Sequence, residues 1–360
     1  MKVLLIGEFS SLHKYLKEGL LELGRIEVTL ASTSDRWKKI GGGDIKLPVM
    51  KNKGLSEYMK LHYEFLKTYR FFEGYDVVQY INPDIFPMVY AKKFNKYIKD
   101  HNQCISLVAA GSDYRLVETY QRGDFEYYSL KYNEPVLKKY DCHTVKGKLH
   151  IKNDLDIEEK ADIIIPSLYE YWLGYKENEK VFNVIPFPIN LSKIEYKENI
   201  VKDKIIFFHG LNREGPKGTK FIKEAMERLQ KAYPNEVEII IDGHLPFDKY
   251  MKIISRTNVI VDQCCGYGYG INACISMAQG KIVLSGCRQE VLDSFGITES
   301  PIFSVKPDVD VIFEKMAYIV EHKKEIPDWG HKSRKYVEKV HDYRINAQKY
   351  VDAWKSTGKV

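Results

Sequence analysis

The chain has 360 residues, too many for one ordinary core and suited to two domains of α/β size. With 44% hydrophobic, 13% aromatic and 29% charged residues it is globular in composition, which excludes a disordered or fibrous protein. The formal charge of +6 is a mild excess spread along the chain; it suits phosphorylated ligands or an anionic membrane surface, or it is a lysine-rich solvated exterior, and no arginine-rich block points to nucleic acid.

In chain order, "KVLLIG" is a continuous apolar run closed by glycine, the pattern of a parallel strand buried on both faces. Gly7 and Glu8 cut that run too early for a signal peptide, and no apolar stretch reaches bilayer length, so a cytoplasmic protein, at most resting on the inner membrane face, is expected. Leu12, Leu16, Leu20 and Leu23 then repeat at helical spacing, with Gly24 as the stop. Further strands are expected in "IEVTLAS", "YDVVQYIN", "CISLVAAG" and "ADIIIPS", with helices between the first four. The tyrosine-rich stretch 112–160 reads as helices and loops over the mouth of this sheet. Residues 1–190 thus form a doubly wound domain, and 191–203 a charged, proline-flanked linker. The alternation restarts through "KIIFFHG", "VEIIIDG", "NVIVDQ" and "KIVLSG" over 204–332. A single long helix closes the chain, with 333–360 packing back toward the N-terminal domain. "DVD" at 308–310 reads as a surface loop. The six cysteines show no CxxC pair and no zinc spacing, and read as reduced core thiols.

Two stretches carry chemistry. In "FFHGLNREGPKGTKFI" a strand ends at Gly210, and Arg213 and Lys217 follow in a loop before a helix. Two cations beside free helix amides suit a diphosphate, Arg gripping two oxygens and Lys acting as a point charge; the alternative is two exposed loop cations. In "DQCCGYGYGINACISMAQGK", Gly266, Gly268 and Gly270 precede a helix. Either an anionic ligand approaches that backbone, or a tight turn needs positive φ.

Taken in order and spacing, "HGLNREGPKGTKFI", "IIIDGHLPFDKY" and "VDQCCGYGYGINACISMAQGKIV" resemble the donor domain of GT-B glycosyltransferases, nearest to family-4-type enzymes of bacterial capsule and O-antigen synthesis. "LLIGEFSSLHKYLKEGL", "VVQYINPDIF" and "AAGSDYR" look like the acceptor domain of the same group. The resemblance implies two Rossmann-like domains facing across a cleft. It also implies a UDP- or GDP-sugar donor with no cofactor and no metal, and a glycan or polyprenyl-diphosphate-linked glycan acceptor. Arg213, Lys217, Gly268 and Gly270 would hold the diphosphate. Gly210, Asp242, His244, Asp262, Tyr269 and Asn272 would surround nucleotide and sugar, although turn or helix-start chemistry also accounts for Asp242, Asp262 and Asn272. Such enzymes carry two glutamates around the glycine turn; here Tyr267 and Ile275 stand in their places, which supports a second reading, a non-catalytic partner of another transferase. An epimerase on the same fold is a third.

On the acceptor side, Gly7 permits close approach, and Ser10 or Ser11 caps the first helix. His13 is a base or a buried structural histidine. Asp113 orients or deprotonates the acceptor hydroxyl, or caps the following helix. Arg115 touches an acceptor phosphate or pairs with Glu118. Replacing Lys217 by Ala is expected to weaken donor binding more than folding.

Overall fold

The computed structural model describes residues 1–33, 43–47, 54–243 and 247–360. They form two compact units. Met1–Glu118, Lys138–Pro188 and Tyr343–Val360 make the first; Thr119–Leu137 and Ile189–Asp342 make the second.

The first unit is built on a six-stranded sheet: β1 (Lys2–Ile6), β2 (Glu27–Ser32), β3 (Ile45–Lys46), β4 (Val77–Tyr80), β5 (Cys104–Ala109) and β6 (Ile163–Pro166). Its order is β3-β2-β1-β4-β5-β6 and its pairings are parallel. Beyond Lys2, every residue of β1 is buried, as a strand covered on both faces requires. In the helix Leu12–Glu22, Leu16 and Leu20 are fully buried. Leu23 leaves the expected stripe and is exposed, because it is the C-cap and the chain turns at Gly24 with φ +72°. The helix Tyr343–Lys355 packs on Leu12–Glu22 at Gly19, where a Cβ would strike the Tyr343 carbonyl and the Ala347 methyl.

The second unit holds β7 (Ile205–Gly210), β8 (Val237–Asp242), β9 (Val259–Val261), β10 (Ile282–Ser285) and β11 (Phe303–Ser304), in the order β11-β10-β9-β7-β8. The helix Thr219–Ala232 lays Ile222, Ala225, Met226 and Leu229, all fully buried, against this sheet. β3 and β11 have two residues each, too short for an alternation to register in sequence.

Three sequence expectations change. The long final helix is two, Ile326–Val340 and Tyr343–Lys355. The break has a cause: the His341 carbonyl accepts the Ile189 amide at 2.7 Å, and its ring bonds the Tyr269 hydroxyl at 2.9 Å, both outside any helix ladder. "DVD" is no loop: Asp308 caps the helix Val309–Glu321 by accepting the amides of Asp310 and Val311. Five cysteines are buried thiols as expected, but Cys142 is exposed.

Gly218 joins the short helix Glu214–Lys217 to Thr219–Ala232 with φ +78°, and a Cβ there would collide with the sulfurs of Cys264 and Cys265. Left-handed strain and overpacking therefore add. Gly218→Ala is expected to lower stability by about 2–4 kcal/mol in chemical denaturation.

Candidate functional site

In the second unit the strand order reverses between β7 and β9, and parallel pairing gathers the carboxyl ends on one edge. Open α/β sheets bind ligands outside that edge, at the reversal. Gly210 ends β7, Asp242 ends β8 and Asp262 directly follows β9. Lys217 closes the one-turn helix Glu214–Lys217, and its ammonium donates to Asp262 Oδ1 at 3.0 Å. Both residues are buried, 7% and 5% exposed. The Lys217 carbonyl also accepts the Cys264 amide at 3.0 Å, so backbone and side chain are tied to the same loop. Beneath them His209 is fully buried, with Nδ1 on the Val261 carbonyl at 2.6 Å and Nε2 on Thr219 Oγ1 at 2.8 Å. Burial above all, and then the Lys217 charge, push its pKa down to about 4. The ring is neutral at pH 7: Nδ1–H donates to the carbonyl and Nε2 accepts the threonine hydroxyl. Arg213 differs from Lys217. It is exposed and meets no carboxylate among the described residues.

Gly266, Gly268 and Gly270 all lie outside the left-handed region, so turn geometry does not explain them. The carbonyl of Gly268 accepts Gln263 Nε2 at 2.9 Å, and a Cβ on Gly286 would strike the carbonyls of Gly266 and Gly268. That contact presses the loop flat against the end of β10. A Cβ on Gly270 would meet nothing within 4 Å, and no side chain caps the helix Ile271–Ala278 that starts there. Open backbone at an uncapped helix start favours an anion. Asn272 sits half-buried on the first turn.

Other expected residues lie elsewhere. Tyr269 is fully buried, its hydroxyl shared with Tyr336 at 2.6 Å and His341 at 2.9 Å, so it belongs to the core. Asp242 accepts the Gly243 amide with its own Oδ1 at 2.7 Å, which is turn chemistry. A Cβ on Gly210 would make ordinary contact with the Phe208 ring at 3.7 Å, so crowding does not demand glycine there. His244 lies outside the described residues. Tyr267, at one former glutamate position, is buried; its hydroxyl accepts the Glu126 amide at 2.9 Å, and the Arg288 guanidinium stacks 4.2 Å from its ring. Ile275, at the other, lies half-buried on the same helix as Asn272. Sequence reasoning missed His209 and Thr219, though both fall inside the quoted motif. It also missed Arg288, which pairs with Glu126 and Glu290 and borders a cavity of about 290 Å³ together with Tyr127 and Lys306. No local pattern marks Arg288, because Glu126 and Tyr267, which fix its guanidinium beside Glu290, come from distant segments.

In the first unit the order reverses between β1 and β4. Gly7 stands there with φ +88°, and a Cβ would strike Ile81 and Ile85. Ser10 and Ser11 follow at φ +52° and +74°, strained values for side-chain-bearing residues. Neither serine caps the helix as expected: Ser11 makes no side-chain cap, and Glu8 accepts the Lys14 amide at 2.8 Å instead. Asn82, two residues past β4, donates to the Ala110 carbonyl at 2.8 Å, and Gly111, at φ +76°, would touch the Phe9 ring with any Cβ. Gly7, Phe9, Asn82 and Gly111 thus share one edge, and neither Phe9 nor Asn82 was singled out from sequence.

His13 is fully buried. Its Nδ1 donates to the Gly7 carbonyl at 2.8 Å and its Nε2 accepts from Gln79 at 3.2 Å, while burial pushes its pKa down to about 3. Both nitrogens hold structure. Asp113 is 1% exposed: Oδ1 accepts the Leu116 amide at 2.9 Å, the geometry of a helix cap, and Oδ2 accepts the Tyr175 hydroxyl at 2.9 Å. Asp154, also buried, accepts the Tyr114 amide at 2.9 Å. Burial chiefly raises the pKa of Asp113 to about 6 and that of Asp154 to about 7, and the charge of Asp113 adds to the rise at Asp154. Arg115 is gripped by Glu158 through two bonds of 2.8 Å and by Glu118 at 2.9 Å.

No protein-family model and no curated protein matches the chain. Solved structures do. Sucrose-phosphate synthase from Thermosynechococcus elongatus aligns with a TM-score of 0.63 at 15% identity, covering 99% of this chain and 98% of that one. HepE from Anabaena, solved with UDP-glucose, aligns at 0.63 and 10%, covering 99% and 100%. WaaG, a glycosyltransferase of lipopolysaccharide biosynthesis, aligns at 0.60 and 13%, covering 98% and 99%. A UDP-GlcNAc 2-epimerase from Neisseria meningitidis aligns at 0.55 and 14%, covering 98% and 99%. With two parallel α/β sheets, the chain has the two-Rossmann-domain GT-B fold.

The buried pair changes what a Lys217 substitution reports. Lys217→Ala strands the Asp262 charge and is expected to lower stability by about 3–5 kcal/mol, against about 0.5 kcal/mol or less for exposed Arg213→Ala, both read by denaturant unfolding. Lys217→Met combined with Asp262→Asn should recover most of the loss. The raised carboxyl pKa values favour the protonated, folded form. Their contribution is full below about pH 4 and disappears as pH rises through about 6–7. Asp154→Asn keeps an acceptor for the Tyr114 amide. It should be neutral near pH 3 and stabilising at pH 8, by about 4 kcal/mol.

Proposed function

We propose that the chain is a glycosyltransferase that moves a sugar from a UDP- or GDP-sugar to a glycan acceptor, carried on polyprenyl diphosphate at the inner membrane face, in surface polysaccharide synthesis. The observation that carries this reading is the Lys217–Asp262 pair at the strand reversal, with the open, uncapped helix start at Gly270 on the loop that follows Asp262. Asp262 fixes the ammonium, leaving its other N–H groups for a second anion. Arg213 is exposed in the same turn and supplies the fork that grips a diphosphate. As the glycosidic bond breaks, negative charge grows on the diphosphate. Cations and amides already in place stabilise that charge without reorganising and without a metal. The acceptor attacks from the face the phosphate leaves, giving retention. On the acceptor side the strained Gly7–Ser11 turn receives the sugar hydroxyl, while His13, Asp113 and Arg115 act as positioning residues behind it. The likeness to HepE with UDP-glucose and to WaaG favours this class of donor and acceptor.

A second reading, a nucleotide-sugar-binding partner without transferase activity, draws on Tyr267 and Ile275 where related enzymes carry carboxylates. Titration with UDP-glucose, UDP-N-acetylglucosamine and GDP-mannose separates the two. Transfer predicts binding of one donor and slow release of free nucleoside diphosphate. Arg213→Ala should weaken donor affinity at least tenfold, about 1.4 kcal/mol or more, with unfolding unchanged. Binding with no diphosphate release in the presence of lipid-linked glycan would favour the partner role. No binding by any of the three would sink both readings.

A further inference from the structure

We propose that Asp141, Cys142 and His143 form a binding site for a divalent transition-metal ion, with Zn²⁺ the best match. The three residues are consecutive, yet the turn brings one carboxylate oxygen, the thiol sulfur and one ring nitrogen within 4.8 Å of one another. Cys142 and His143 are exposed, and Asp141 is half-buried. None of the three side chains enters an ion pair among the described residues, and the one hydrogen bond they make is local: Asp141 Oδ1 accepts the His143 amide at 2.9 Å, which leaves Oδ2.

The turn is rigid for reasons that do not involve the donors. The Asp141 carbonyl accepts both the amide and the hydroxyl of Thr144 at 3.1 Å. Thr144 Oγ1 in turn accepts the Gly147 amide at 3.0 Å and caps the helix Val145–Lys160. Gly147 packs so closely on Asp141 that any Cβ would collide with its carbonyl. Ordering entropy is therefore already spent before a metal arrives, and only three side-chain rotamers need to settle.

The donor set selects the ion. Thiolate, imidazole and a single carboxylate suit Zn²⁺ or Co²⁺. Mg²⁺ and Ca²⁺ want an all-oxygen shell, which one carboxylate does not provide. A divalent ion held by a thiolate, a carboxylate and a neutral imidazole carries no net charge. It therefore does not oppose the positive end of the helix that begins at Val145, while the two anionic ligands are favoured there. Three protein ligands leave a fourth position for water. The familiar CxxC and HxxxH spacings are absent, which is why the site is invisible to a motif search.

The test uses the full, tag-free, reduced chain titrated with CoCl₂ and then ZnCl₂. One equivalent of Co²⁺ should raise a thiolate-to-cobalt charge-transfer band in the near ultraviolet with tetrahedral d–d bands, and Zn²⁺ should displace both. Cys142→Ser should abolish the charge-transfer band. His143→Gln should weaken Zn²⁺ at least tenfold, and Asp141→Asn should weaken it while keeping the acceptor for the His143 amide. Both exposed variants should unfold at the wild-type denaturant midpoint. A charge-transfer band that persists in Cys142→Ser, or no band in the wild type, would overturn the assignment.

Discussion

The second unit is organised around one buried ion pair. Lys217 and Asp262 sit where β7 and β9 diverge, and taking both charges out of water is tolerable only because each answers the other. Much else follows from keeping that pair in register. Gly218 must be glycine because the turn behind Lys217 lies on the sulfurs of Cys264 and Cys265. His209 must stay neutral because it lies under a lysine in a dry site. The loop that follows Asp262 must lie flat because Gly286 abuts the carbonyls of Gly266 and Gly268.

The first unit meets the same problem of polar groups at a sheet edge with different chemistry. It uses a buried neutral chain, from the Gly7 carbonyl through His13 and Gln79 to Ser106 and Trp354. This chain holds the strained turn at Gly7–Ser11 from below. Farther along the edge, carboxyls that are costly to ionise cap the helix after β5 and hold its first turn. His13 and Asp113, which suggest acid–base catalysis by type, have both ring nitrogens and both carboxyl oxygens engaged in hydrogen bonds here. The same reasoning separates Arg213 from Arg115. The two have one chemistry, but Arg115 is saturated by Glu158 and Glu118 while Arg213 faces solvent.

The strands and helices of both sheets were legible in the sequence, since buried parallel strands and amphipathic helices write their burial into local periodicity. The positions of Lys217 and the glycine turn at the strand ends were legible too, because both lie in short strand-to-helix turns whose loop residues stand next to the strands that carry them. Several things were not. Two-residue strands carry no period. The break at His341 depends on Ile189 and Tyr269, far away in the chain. That Tyr269 is core while Gly270 is open depends on Tyr336 and on empty space, neither of which is written near them.

By itself, then, the sequence determined the class of fold and the succession of its longer strands and helices, since each rests on interactions between near neighbours. Tertiary structure alone decided which polar residues are spoken for. Whether Lys217 is loose or pinned, whether Asp113 also holds Tyr175, and which strand ends lie side by side are set by partners dozens of residues distant. Burial and hydrogen bonding across such separations leave no local trace in the chain.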